Sequence, residues 1–286
     1  MTQYQRTIDE LLVRYKLEPS LKEVFVEGYS DVQFFQRLLQ LCELADARAY
    51  CIETVEIPDE DTADLVGLSG NRLRVFALSE KLLGVDAKIL CIVDRDLDDL
   101  LETNHSSQLL KYTDLSCPPI YTLSPSVLSE VCRTLIHKED LYSELLWESM
   151  CEILQRLAFY RATKIIWSWN IKSPSAKKYI EIHQGKFEFN EVNYREAFLR
   201  HVTSQNKYKE LDETIASLQE KAPIDCRRYV NGHDYIEMIL ILIRTETNLG
   251  RFDERILSRA LMLLNDFQEA IEGSLAGELR ATFATN

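Results

Sequence analysis

This 286-residue sequence predicts an α/β fold with a largely parallel sheet, followed by a mostly helical region. Three observations carry that prediction. Two short apolar runs, 22–26 and 89–93, each end in carboxylates, as buried strands do when they deliver side chains to the C-terminal edge of a sheet. Between them, strand-like and helix-like stretches alternate, which is the pattern of βα units. After about residue 125 the apolar spacing turns helical. The change of texture divides the chain into an α/β domain over 1–125 with a leading helix, and a helical domain over 126–286 packed on it as a substrate, partner or dimer surface.

The elements follow in order. Ile8, Leu11, Leu12 and Tyr15 stand at helical spacing in 5–16, and Pro19 and Ser20 stop that helix. Residues 22–26 form a strand broken at Glu27-Gly28. Ser30 or Asp31 then caps a helix whose face is Val32, Phe35, Leu38, Leu39 and Cys42. A second strand spans 49–57, an acidic loop 58–64 and a turn 67–70, and a helix over 71–83 is closed by Gly84. The strand ending at Asp94 comes next, then a helix starting within 98–110 and a short strand over 118–123. Helices are predicted over 127–136, 141–169 and 194–202, with a polar break at 172–178. Residues 179–182 and 186–189 flank a His-Gln-Gly turn as a hairpin. Residues 207–218 are helical, as are 236–243, opened by Asn231-Gly232-His233-Asp234, and the amphipathic tail over 252–279.

The formal charge is −13, and its distribution excludes a generally basic nucleic-acid coat. Residues 1–150 carry 14 Lys/Arg against 27 Asp/Glu, whereas 151–286 carry 19 of each. A polyanion approaching the first half needs metal ions or the basic clusters of the second half. Cys42, Cys51, Cys91, Cys117, Cys132, Cys151 and Cys226 form no CxxC pair, which predicts reduced, mostly buried thiols in a cytoplasmic protein. Neither a signal core nor a membrane-spanning apolar stretch is expected. The chain has no GxxxxGK loop, so it is not itself a P-loop ATPase.

Glu27 and, 67 residues later, Asp94-Arg95-Asp96 can converge only if two parallel strands end side by side. In that geometry Asp94 and Asp96 would hold a divalent ion. Hard oxygen donors without soft partners favour Mg²⁺ or Mn²⁺. Glu27 would be a further ligand or the acid/base of phosphoryl transfer, Asp31 would face the same way one helical turn on, and Asp98 would add an outer contact. Acidic strand-end loops are also common as plain solvated surface. Arg95 could contact a scissile phosphate or pair with a neighbouring carboxylate. Arg156, Arg161, Lys164, Lys172, Lys177, Lys178, Arg227 and Arg228 form either a phosphate track, with Tyr160, Trp167 and Trp169 for base stacking, or a solvated face over core aromatics. His233 is either a phosphate contact and proton shuttle or a helix-start residue beside a capping Asn231 or Asp234.

FVEGYSD and IVDRDLD resemble the two signatures of the TOPRIM domain, the metal-binding fold of topoisomerases, bacterial primases, small-ribosomal-RNA maturases and overcoming-lysogenization-defect nucleases. The resemblance covers about residues 20–125 and implies Glu27 as the first-motif glutamate, Asp94 and Asp96 as the aspartate pair, and Asp31 as the acidic residue of the nuclease branches. The helical second half and the Asn-Gly-His-Asp element further resemble stand-alone TOPRIM proteins encoded beside ABC-type ATPases in phage-defence loci, the effectors of PARIS systems. That resemblance implies a toxic Mg²⁺-dependent nuclease held by an ATPase subunit, which on release dimerises and cuts host RNA, tRNA foremost. One position departs: relatives carry a Tyr-x-x-Glu element where this chain reads Tyr121-Thr122-Leu123-Ser124, which puts a second metal in doubt and leaves Glu130 as a substitute. Other readings are a regulated binding subunit of an ATPase complex with a silent metal site, a DNA nuclease of the overcoming-lysogenization-defect type, and a topoisomerase- or primase-like module.

Overall fold

The computed structural model describes residues 5–62, 69–103, 105–247 and 253–284. The turn predicted at 67–70, the end of the acidic loop at 58–64 and the start of the tail helix at 252 fall at least partly outside the described residues. In chain order the elements are β1 (Arg6–Thr7), α1 (Ile8–Leu17), β2 (Lys22–Val26), α2 (Tyr29–Leu41), β3 (Arg48–Cys51), β4 (Val55–Glu56), α3 (Gly70–Lys81), β5 (Lys88–Val93), α4 (Asp98–Leu101) and β6 (Leu110–Tyr112). They continue as α5 (Pro125–Glu130), α6 (Glu144–Ile166), β7 (Ile180–His183), β8 (Lys186–Phe189), α7 (Glu191–Leu199), α8 (Lys207–Lys221), α9 (Gly232–Glu246), α10 (Glu254–Leu264), α11 (Gln268–Glu272) and α12 (Ser274–Phe283). The protein is α/β, with a four-stranded parallel sheet flanked by helices.

Contacts divide the chain into two compact units, each discontinuous in sequence, rather than at a single cut after residue 125. The first joins Met1–Arg95, Asn104–Asp114 and Phe267–Asn286, and the second joins Asp96–Thr103 and Leu115–Asp266. The boundary thus falls between Arg95 and Asp96, and the last two helices belong with the sheet.

In the first unit the strands run β3-β2-β5-β6, all parallel, with Phe25 opposite Cys91 and Val26 opposite Cys51. Phe25, Ile89, Cys91 and Val93 share one core with Leu11 and Tyr15 of α1 and with Val75 and Leu78 of α3. Val24, Val26, Leu90 and Ile92 alternate with them and are also buried, so both faces of the sheet are covered and its strands read as continuous apolar runs. α2 and α12 pack against the strands, and Phe34 stacks on Phe267 with ring centroids 5.3 Å apart. A buried charge anchors the leading helix. Glu23 is 1% exposed, pairs with Arg14 at 2.7 Å and accepts the Tyr15 hydroxyl at 2.5 Å, while Arg6 lies 3.8 Å away over the Tyr50 ring.

The second unit is built on the 23-residue helix α6, opened by Ser143, whose Oγ accepts the Leu146 amide at 3.1 Å. α8, α9 and β8 pack on it. The predicted hairpin forms: His183 pairs with Lys186 across Gln184 (φ 50°) and Gly185 (φ 73°), the two left-handed residues a tight two-residue turn requires. Gly232 opens α9 against Cys117 and Pro119. A Cβ there would stand 2.8 Å from the Cys117 sulfur, so only glycine permits that approach.

Several predicted elements differ in the structure. The 49–57 strand breaks after Cys51 into a 3-10 turn and resumes as β4, which pairs with β1 outside the main sheet. The turn lets Ile52 and Val55, three apart, enter one core, which a straight strand with its two-residue period would not. Helix α4 stops after four residues at Glu102 (φ 54°), and the chain uses 110–112 as a strand that covers the edge of β5. Residues 118–122 form a 3-10 turn, since Pro118 and Pro119 offer no amide to a ladder. The 127–136 helix is α5 followed by a π-turn, and the tail is three helices broken at Phe267 (φ 62°) and Gly273.

A carboxylate edge at the strand ends

Parallel pairing of β2 with β5 makes the two strands end together, and the first residue past each is acidic. Glu27 Oε1 accepts the Asp94 amide at 2.9 Å, so the side chain of one motif rests on the backbone of the other. The chain around Glu27 is held by its carbonyl, which accepts Asn71 Nδ2 at 2.8 Å and the Cys51 thiol at 3.5 Å; Asn71 also donates to Glu53 at 3.1 Å. Asp31 lies at the third position of α2. The helix cap is Gly28, ahead of both Ser30 and Asp31, and Asp31 Oδ2 accepts the Gly28 amide at 2.8 Å while Ser30 donates to Oδ1. Asp31 is buried, and its negative charge sits at the positive end of the α2 dipole.

Beyond Asp94 the backbone turns sharply. The Arg95 amide donates to Thr113 Oγ1 at 2.9 Å, and its Nε donates to the Thr113 carbonyl at 2.8 Å. Arg95 and Arg72 both lie over the Tyr112 ring, 6.0 and 5.7 Å from its centroid. Within the second unit, Asp96 adopts φ 48°, a left-handed conformation that aspartate tolerates better than most residues, and its amide donates to Ser116 O at 2.8 Å. Ser116 in turn donates its amide to Arg227 O and its hydroxyl to Val230 O, at 2.9 and 2.6 Å. Asp98 accepts Thr103 Oγ1 at 2.8 Å in the turn that ends α4, and Asp99 pairs with Arg228 at 2.5 Å.

Glu27, Asp31 and Asp94 are therefore brought to one edge of the sheet, and Asp96 follows two residues later. The donors are of the kind that suits Mg²⁺ or Mn²⁺, being carboxylate oxygens without a soft ligand. In this conformation, however, Glu27 and Asp31 are turned onto backbone amides, and among the described residues no three His, Cys, Asp or Glu side chains gather closely enough to hold a metal. The set fits a cation in chemistry. Ser124 caps α5, its Oγ accepting the Val127 amide at 3.2 Å. Glu130 is engaged with Arg133 and with Thr134.

The predicted basic track is mostly neutralised. Arg156 pairs with Glu191, Lys177 with Glu237 at 3.4 Å, Arg227 with Asp225 at 2.7 Å, and Arg161 makes a two-pronged pair with Asp234 at 2.9 and 2.6 Å. Burial opposes the Arg161 charge, but Asp234 foremost, then Tyr194 and Asp96, outweigh it and raise the pKa above the usual arginine value. His233 Nδ1 lies 2.8 Å from Glu254, and Asn231 is the α9 cap, its Oδ1 taking the His233 and Asp234 amides. Tyr160 is buried among Tyr194 and Phe198 and so is not a stacking platform, while the half-buried Trp169 packs on Phe198. Trp167 is exposed and donates to Thr214. Lys178 is exposed.

Asn71, Thr113 and Ser116, which hold the two acidic motifs in place, were not evident from the sequence. Each acts through a bond to a residue far along the chain, which leaves no local pattern. No family model matches the sequence, and no curated protein matches it. Among the described residues no helix is long and apolar enough to cross a membrane.

Proposed function

We propose that this chain is a TOPRIM-type nuclease that hydrolyses phosphodiester bonds, RNA being the substrate. The observation that carries the reading is the shared strand edge, with Glu27 of the first motif 2.9 Å from the amide of Asp94 in the second. Asp94 and Asp96 would hold Mg²⁺ or Mn²⁺, which when bound supplies charge to polarise the phosphate and stabilise the leaving oxygen. Glu27 turns off the Asp94 amide to hold or move a proton at its carboxylate, or to join the ligands. Asp31 keeps the first turn of α2 in register behind it, and Arg95 is held beside the motif by its Nε on the Thr113 carbonyl. On the same reading the protein is a cytoplasmic toxic effector of phage defence, kept silent by an ABC-type ATPase subunit, dimeric once released, and directed at tRNA. Those parts rest on the likeness of FVEGYSD and IVDRDLD to the signatures.

The test is to express the chain alone beside its Glu27→Ala variant and sequence the ends of cellular RNA. New discrete ends that need Glu27 and a divalent cation are the expected result. None in either strain, with both proteins folded, would remove the free chain as a nuclease. A second reading, a binding subunit whose metal site stays silent, is favoured by two observations: carboxylates turned onto amides, and Ser124 serving as a helix cap. Calorimetric titration with Mg²⁺ separates the two, since the binding subunit takes up no cation and the nuclease loses its heat of binding with Asp94→Ala.

A further inference from the structure

The second unit holds a pocket of about 410 Å³ between the C-terminal half of α6, the 172–176 loop and the first turn of α9. Its charges are arranged unevenly. Of the three acids on its walls, Asp234 is paired with Arg161 and Glu237 with Lys177, while Glu254 lies 2.8 Å from the exposed His233 imidazole. Lys164 and Lys172 also line it, and among the described residues neither has an ion-pair partner. Lys164 is half-buried and Lys172 is exposed. Ser173 and Ser175 bring two hydroxyl donors to the same wall, and the pocket opens on the positive end of the 15-residue helix α9. Two lysines without ion-pair partners among the described residues and two hydroxyls around one cavity make a receptor for an anion.

The cavity has room for more than a bare phosphate. The volume is on the order of ten times the share of one water molecule, enough for a phosphate with its flanking sugar. We infer that this pocket is a subsite for a backbone phosphate of a single RNA strand, with Lys164 and Lys172 as its charged contacts and the Arg161–Asp234 pair as its fixed floor. The choice of an RNA strand rests on the nuclease reading; the anion site itself rests on the charges.

Binding in EDTA tests the pocket apart from cleavage. A labelled single-stranded RNA about twelve nucleotides long is titrated with the full chain over a salt series, followed by fluorescence anisotropy. The double variant Lys164→Ala/Lys172→Ala should bind roughly tenfold more weakly at low salt and lower the slope of log K against log salt by about 0.7, one phosphate contact's worth. Lys209→Ala, whose lysine lies outside the pocket and pairs with Glu213, is the control and should match the unaltered chain. Equal affinity and slope in the double variant, with its melting curve unchanged, would overturn the proposal, as would failure of the unaltered chain to bind RNA at low salt. Lysine-dependent binding of uridine 5′-monophosphate without binding of the strand would instead make this a nucleotide pocket and end the RNA assignment. Because EDTA suppresses cleavage, RNA ends that fail to appear in cells would leave this result standing, and the reverse also holds.

Discussion

Strand β2 carries one glutamate near its start and another just past its end, and the two are treated differently. Glu23 is sealed from solvent and neutralised by its own chain, with Arg14 at 2.7 Å and the Tyr15 hydroxyl at 2.5 Å. Glu27, four residues on, is half-buried and rests on a backbone amide across the sheet. A carboxylate that has only to stay folded is best paired with an arginine it never leaves, because a buried charge without a partner costs several kcal/mol. One that has to exchange partners is better held by an amide, which stabilises the anion without occupying every lone pair. The N-terminal end of the strand is thus a structural anchor, and on the nuclease reading the C-terminal end is where the chemistry would occur.

Removing each glutamate should separate the two roles. Glu23→Ala leaves Arg14, Arg6 and Tyr15 facing an emptied site and should cost about 3–5 kcal/mol, read as a lower midpoint in urea unfolding. Glu27→Gln keeps an oxygen to accept the Asp94 amide while removing the charge, so its unfolding midpoint should stay within about 1 kcal/mol of the unaltered protein. On the nuclease reading its cleavage should vanish. If Glu27→Gln unfolds as readily as Glu23→Ala, both ends of the strand are structural and the contrast fails.

How far this contrast could be read in the sequence depends on the range of the forces involved. The runs around Val24 and Leu90 are buried on both faces, so their apolar continuity marks them as strands. Parallel pairing in the register that sets Phe25 opposite Cys91 then brings Glu27 close to Asp94. Glu23 sits inside such a run, yet the arginine that neutralises it lies nine residues earlier on another element, a pairing with no periodic trace. The same holds for β6, three residues whose only signal is the edge they cover, and for Asp98 and Asp99, whose partners Thr103 and Arg228 are chosen by the fold. Metal ligation by the edge carboxylates is a matter of chemistry at the site and stands on the proposal above.

Asp31 tests the acidic end at a smaller scale. As the partner of the Gly28 amide it should contribute to stability like other residues at a helix start, so Asp31→Ala should lower unfolding free energy by about 0.5–2 kcal/mol. Asp31→Asn keeps an acceptor and should recover most of that loss. If cleavage recovers with it, the residue works by shaping the turn. If stability returns and activity does not, the charge itself serves the site.

The smallest effect, and the one that depends on pH, belongs to Tyr15. Burial first, then the negative charge of Glu23, pushes its phenol well above the ordinary tyrosine value. The folded protein therefore favours the neutral phenol more than the unfolded chain does. The stability this adds is fully present below the unfolded tyrosine pKa of about 10 and is lost as pH rises above it, because the unfolded chain can ionise and the folded one resists. Tyr15→Phe should cost about 1 kcal/mol at neutral pH through the lost hydrogen bond to Glu23, and its urea midpoint should then fall less steeply between pH 9 and pH 11 than that of the unaltered protein. Parallel curves for the two proteins across that range would mean that Glu23 is held by its arginines alone, and the anchor would shrink to the ion pair.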